Sequence, residues 1–269
     1  MIGFIGGGNM AEALIRGIAQ GSRARVQGEP NDIFVSEPRE DRRSYLEKTY
    51  TIKTTSSNMD VASSCDIIIL AVKPQNIETV LDGIRDVITE GKTVVSIAAG
   101  ITLSYLQSKL KTKRLVRVMP NTPALVQEGM SVLSLCECFS GRDIDTIREM
   151  FMSVGKVLVL PEKYMDAVTA LSGSGPAFIA LFVEAMTEAG ENMGLSRENS
   201  SELAVQTLIG TAKLIDTGMP PDKLREMVTS PGGTTAEGLK VFGEMGLNKI
   251  VTAALQAAVK RAGELGRKG

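Results

Sequence analysis

Short apolar runs rich in β-branched residues alternate with helical patterns from the start of the chain to Pro161, and this alternation limits the fold more than any other feature. The runs are Ile2–Ile5, Ile33–Ser36, Ile67–Val72, Thr93–Ala98 and Leu115–Met119. They are too short for helices and nearly continuous in apolar character, the pattern of strands buried on both faces. Between them lie helical patterns at Ala11–Gln20, Arg39–Lys48, Asn76–Ile88 and Leu103–Lys109, the last preceded by Thr102 as a candidate N-cap. Such alternation implies an α/β fold built on a parallel sheet. Ser131–Leu135 and Lys156–Leu160 flank a helix over Asp143–Met152 and are expected to extend one edge of that sheet.

Past Pro161 no strand-like run follows. Helices are expected at Tyr164–Leu171, Ala177–Met193, Arg197–Asp216, Asp222–Val228, Thr235–Glu244 and Lys249–Gly266, separated by Gly, Pro and Ser. The change divides the 269 residues into an α/β domain, 1–161, and an all-α domain, 162–269. Ala177–Val183 is apolar all round, so that helix is either the centre of its domain or buried against a second subunit. A domain of this size has few layers with which to surround it, which favours an intertwined oligomer.

The turn Gly6-Gly7-Gly8-Asn9-Met10-Ala11 fits a GxGxxA pattern directly after the first strand and at the start of the first helix. Gly6 permits the tight turn, Gly8 lets backbone approach a pyrophosphate, and Ala11 allows close helix–strand packing. Asn9, Met10 and Ala11 lie at the helix N-terminus, whose amides and dipole suit an anion. This context indicates dinucleotide binding. At the end of the second strand, Ser36-Glu37-Pro38-Arg39 offers both an acid for a ribose 2′-hydroxyl and a Ser/Arg pair for a 2′-phosphate. Arg42 and Arg43 follow, and the balance leans to NADPH over NADH. Two more loops at strand ends, Ala71-Val72-Lys73-Pro74 and Ala98-Ala99-Gly100, carry small residues that leave room for ribose and nicotinamide. Pro74 redirects the chain rigidly, which favours a positioning role for Lys73 over a catalytic one.

The sequence has no histidine, which removes His-based triads, His general acid–base chemistry and His-ligated zinc. No metal site is expected. A formal charge of -1 provides no basic field for nucleic acid or anionic membrane. Cys65, Cys136 and Cys138 form no CxxC pair and read as reduced thiols; Cys136 and Cys138 alternate on a strand. The aliphatic run Ile67–Val72 is far below the roughly 18 residues of a membrane span. A strand pattern beginning at Met1-Ile2 leaves no room for a leader, so a cytoplasmic location is expected.

Two loops in the helical half combine Gly, Ser and Pro. Leu171-Ser172-Gly173-Ser174-Gly175-Pro176-Ala177 opens the long apolar helix, with Pro176 suited to its first turn. Ser230-Pro231-Gly232-Gly233-Thr234-Thr235-Ala236 opens another, bringing hydroxyls and free amides around a spot suited to a carboxylate. Two ordinary capped helices would satisfy the same residues.

With Phe4-Ile5-Gly6-Gly7-Gly8-Asn9-Met10 and Met119-Pro120-Asn121-Thr122-Pro123, these motifs give the chain an end-to-end resemblance to the pyrroline-5-carboxylate reductase family. The Ser172–Ala177 and Val228–Thr235 segments are the most diagnostic. The resemblance implies a Rossmann-like N-terminal domain, a C-terminal helical domain that forms a homodimer, and assembly into a ring of dimers. It implies that Ser36, Asn58, Ala71–Pro74 and Ala98–Gly100 line the cofactor. Ser230, Gly233, Thr234 and Thr235 would hold the carboxylate of 1-pyrroline-5-carboxylate, with the Thr235 hydroxyl near its imine nitrogen as the catalytic group. Glu37 departs from members with a small or polar residue there. The implied reaction is reduction of the imine to L-proline by NADPH or NADH. Two alternatives remain: a two-domain 3-hydroxyacid dehydrogenase, which would carry a Lys soon after the Gly-Ser motif where this chain has Ala177–Phe182, and a non-catalytic dinucleotide sensor.

Overall fold

Eight strands form one sheet in the computed structural model, which describes residues 1–20, 32–136, 139 and 142–266. They are β1 (Ile2–Ile5), β2 (Ile33–Ser36), β3 (Lys53–Thr55), β4 (Ile67–Leu70), β5 (Thr93–Ser96), β6 (Leu115–Met119), β7 (Gly129–Leu135) and β8 (Gly155–Val159). The order is β3-β2-β1-β4-β5-β6-β7-β8. β1 pairs in parallel with β2 on one side, Ile5 opposite Ser36, and with β4 on the other, Ile5 opposite Leu70. The sheet is parallel throughout except between β6 and β7. There the link from Met119 to Gly129 holds only a 3-10 turn, Thr122–Val126, too short for a crossover to a parallel neighbour. The expected edge extension is therefore present, with one antiparallel step. Cys138 lies outside the described residues; Cys65 and Cys136 are buried.

The helices of this part are α1 (Asn9–Gln20), α2 (Glu40–Tyr50), α3 (Asn58–Ser64), α4 (Ile77–Ile84), α5 (Leu103–Lys109), α6 (Arg142–Met152) and α7 (Met165–Val168). Thr102 caps α5, its hydroxyl accepting from the Tyr105 N–H at 3.1 Å. β1, β4 and β5 are buried along their whole length. Phe4, Ile5, Leu14, Ile15, Ile68, Ile69 and Phe151 are fully enclosed in one core. Burial of each such side chain contributes about 1.5–3 kcal/mol. The helix expected over Tyr164–Leu171 is interrupted: a 3-10 turn at Glu162–Tyr164 leads into α7 and then a π-helical turn at Thr169–Gly173.

The remaining helices are α8 (Gly175–Asn192), α9 (Arg197–Asp216), α10 (Pro221–Met227), α11 (Thr234–Glu244) and α12 (Leu247–Gly266). The chain forms two compact units, Met1–Ser174 with Ala257–Gly269, and Gly175–Gln256. In the first, the end of α12 lies on the loop after β5: a Cβ on Gly100, whose φ is +79°, would stand 3.1 Å from the Leu265 Cβ. In the second, α8 packs on α9 where small residues meet, and a Cβ on Gly190 would reach within 2.5 Å of the Ser200 hydroxyl.

Ala177–Val183 is not the centre of its unit. Ile179 is 49% exposed and Leu181 64%, and Phe178 and Phe182 are also open. Of the two positions open to this stretch, only burial against another surface remains. Glu162–Asn192 is long and apolar enough to cross a membrane by length and composition alone, with a mean hydropathy of 1.4 in its most apolar window.

Candidate active site

The order of the strands places the nucleotide turn. β1, β2 and β3 succeed each other in one direction across the sheet, and β4, β5 and β6 in the other. The reversal opens a crevice outside the C-terminal ends of β1 and β4, where ligands of such sheets bind. Gly6 sits at its floor, its N–H donating to the Ser36 carbonyl (2.8 Å) while the Ala71 N–H donates to the Ile5 carbonyl (2.8 Å). Gly6 has φ +101°, and a Cβ there would stand 2.6 Å from the Ala71 carbonyl oxygen. No other residue fits. A Cβ on Gly8 would meet nothing within 4 Å, so the space above it is open cradle and not packing. The first bond of α1 runs from the Glu12 N–H to the Gly8 carbonyl (2.9 Å), leaving Asn9, Met10 and Ala11 at the helix end that lacks intrahelical acceptors. Open space over Gly8 and free donors at α1 fit a pyrophosphate.

Beside this turn, Ser36 is buried, and its hydroxyl donates to Asn58 Oδ1 (2.7 Å), with the Phe4 carbonyl 3.4 Å away. Glu37 is only 6% exposed and its carboxylate accepts from the Gly7 N–H at 3.0 Å. The same carboxylate accepts from the Arg39 N–H (3.2 Å) and Nε (3.0 Å). Burial works to raise its pKa, but the hydrogen bonds from Arg39 and Gly7 outweigh that and hold it below the ordinary carboxylate value. Arg42 donates to the Gly7 carbonyl (2.7 Å) and pairs with Glu12, which also accepts from Tyr45 and Tyr50. None of these ties across some thirty residues is visible as a sequence motif.

Ala71 and Val72 are partly exposed at the crevice, Lys73 and Pro74 are exposed, and Pro74 begins a 3-10 turn ahead of α4. Ala98 is buried and Ala99 partly open. Gly100 is glycine because α12 and its positive φ require it. Asn121 ties the end of β6 to the π-helical turn through Ser172, a contact that no local sequence pattern signals.

In the second unit, Ser230–Gly233 forms a tight turn with Gly232 at φ +69°. Gly233 is the N-cap position of α11, and the first α11 bond runs from the Glu237 N–H to the Gly233 carbonyl (3.3 Å). Thr234 and Thr235 therefore present first-turn amides, and Ser230 and Thr234 are exposed. The expectation for Gly233 changes: its N–H closes the turn onto the Ser230 carbonyl at 3.0 Å and is not a free donor. Its lack of a side chain is what lets the Ser230 hydroxyl lie against it.

Fold and crevice define a two-domain dinucleotide-dependent oxidoreductase. Residues 1–100 match the family described as NADP oxidoreductase, coenzyme F420-dependent, and residues 162–265 match the pyrroline-5-carboxylate reductase dimerisation family. A pyrroline-5-carboxylate reductase from Synechocystis is 40% identical over 99% of this chain and 98% of its own. The structure of a pyrroline-5-carboxylate reductase from Coxiella burnetii superposes with TM-score 0.89, 37% identity, and coverage of 98% of this chain and 97% of that one. The NADP-bound Plasmodium falciparum pyrroline carboxylate reductase gives TM-score 0.87 at 34% identity, with the same coverage of each chain. The chain belongs to the pyrroline-5-carboxylate reductase family.

Proposed function

We propose that this protein reduces the C=N bond of 1-pyrroline-5-carboxylate to give L-proline. The observation that carries this reading is the presence, in a chain matching reductases end to end, of both open space over Gly8 at the head of α1 and a turn at the head of α11 that offers first-turn amides. Bound NADPH or NADH supplies a hydride to the imine carbon, and the ring nitrogen keeps the proton it carries as the iminium. The cradle residues Gly6, Gly8, Asn9, Met10 and Ala11 hold the pyrophosphate, while Ser36, Asn58, Ala71–Pro74 and Ala98–Ala99 shape the walls beside it. The amides of Thr234 and Thr235 and the Ser230 hydroxyl hold the substrate carboxylate at the positive end of α11. The Thr235 hydroxyl hydrogen-bonds the ring nitrogen and so orients the imine carbon for hydride. A chain without histidine suffices, because an iminium is already electrophilic.

Residues 1–161 bind the cofactor, and 162–269 bind substrate and self-associate. The exposed apolar face of α8 is covered by a second copy of the chain and not by lipid, since it lies inside the region matching the family's dimerisation domain. Dimers assemble into a ring, and the protein is soluble and cytoplasmic. Thr235→Ala is expected to lower kcat about 10- to 100-fold, the worth of one hydrogen bond to a charged group. Unchanged turnover would remove Thr235 from the chemistry.

A further inference from the structure

We infer that Glu37 makes this enzyme select NADH over NADPH, by occupying with a fixed carboxylate the place where a 2′-phosphate would have to sit. The inference rests on the cofactor reading above and concerns its adenosine end. Glu37 stands directly after β2, the position from which an acidic side chain accepts from a ribose 2′-hydroxyl. It is buried and held at both oxygens: Oε2 by the Gly7 N–H, inside the phosphate-binding turn, and Oε1 twice by Arg39. A carboxylate has about four acceptor positions, so Oε2 keeps one for a hydroxyl donor. A phosphate has only acceptors and negative charge to offer that oxygen.

Among the described residues that follow β2, each cation that could have received a phosphate already holds partners at Glu37 or the glycine turn. Arg39 is paired with Glu37 itself. Arg42 bridges the Gly7 carbonyl and Glu12, and Arg43 donates to the carbonyls of Glu37 and Pro38, both at 2.9 Å. The Ser36 hydroxyl proton is spent on Asn58 Oδ1. The basic sequence following β2, which leans toward NADPH when read as a string, is in the fold a set of cations that brace Glu37 and the glycine turn.

The test compares NADH and NADPH in two assays, binding followed by the fluorescence of the reduced nicotinamide, and kcat/KM with pyrroline-5-carboxylate. The wild type is expected to favour NADH by about tenfold or more, with Glu37→Ser shifting the ratio about 10- to 100-fold toward NADPH. Glu37→Gln keeps the shape and the acceptor for Gly7 while removing the charge, so it decides the matter if the serine variant is unstable, and it should shift the ratio the same way. A wild type that favours NADPH, a ratio unmoved in Glu37→Gln, or a selective loss of NADPH binding in Arg39→Ala would each overturn the inference. Preferential NADH binding without turnover would uphold it while removing the reductase reading.

Discussion

The side-chain amide of Asn121 holds Ser172 from two sides, donating to its carbonyl (3.3 Å) and to its hydroxyl (3.2 Å). Its Oδ1 accepts from the Met130 N–H at 2.8 Å. One partly buried residue thus joins the end of β6, the start of β7 and the π-helical turn Thr169–Gly173, which rests against Met119 through Gly173. Asn121→Ala leaves these groups without partners and is expected to cost about 1–3 kcal/mol. Urea denaturation reads this directly. Asn121→Asp keeps the acceptor for Met130 and should recover part of the loss; equal losses would show that the Met130 bond contributes nothing.

Gly6 and Gly8 should separate folding from binding. Gly6→Ala forces a side chain into φ +101° and against the Ala71 carbonyl, so the unfolding midpoint should fall by the equivalent of about 1–3 kcal/mol. Gly8→Ala meets no protein atom within 4 Å and should melt like the wild type, yet weaken dinucleotide binding about tenfold or more by filling the cradle. Wild-type nucleotide affinity in Gly8→Ala would move the pyrophosphate elsewhere.

Acid should loosen the nucleotide turn. Glu37 and Glu12 have pKa values lowered from the ordinary 4.5; in each, burial opposes the shift and hydrogen bonds prevail, from Arg39 for Glu37 and from Arg42, Tyr50 and Tyr45 for Glu12. The unfolded chain takes up these protons first as pH falls. Their stabilisation is thus complete above the unfolded value and is lost as pH drops through the lowered folded values. Thermal melts should respond little to these two groups above about pH 5 and decline below it, with a shallower decline in Glu37→Gln.

Tyr50 should behave in the opposite sense. Burial, then its hydrogen bond to Glu12, push its phenol up to about 12. Below the ordinary value of 10 both folded and unfolded chains keep the proton, and as pH rises toward 12 only the unfolded chain releases it, so stability drains away over that interval. A phenolate titration should lose a late step in Tyr50→Phe.

Much of the fold is readable in the sequence because buried parallel strands are nearly continuous in Val, Ile and Leu. β1, β2 and β6 begin and end where their apolar runs do. β3 escapes that reading: Lys53-Thr54-Thr55 is an edge strand of three polar residues with no apolar signal. α3 escapes it too, seven residues with one turn's worth of periodicity, although the Ser57 hydroxyl caps it. The runs at Ile67 and Thr93 read two residues too long, because apolar character continues past the last paired residue into the loops that border the crevice.

Gly6 is legible because only glycine meets its geometry, and Gly8 because it stands in the pattern that leaves the turn open, whereas the partners of Glu37, Arg42 and Asn121 are not. Those contacts join residues tens of positions apart, and they decide what the charges near the crevice can do. The occupied amide of Gly233 belongs to the same class, since nothing in Ser230-Pro231-Gly232-Gly233 says which donors a turn will consume.

The most direct measurement is oxidation of NADH and of NADPH, followed by nicotinamide absorbance, with purified protein and 1-pyrroline-5-carboxylate, and with proline identified as the product. Turnover with stoichiometric proline is expected. A folded protein that binds the dinucleotide but oxidises neither form in the presence of this imine would contradict the assignment.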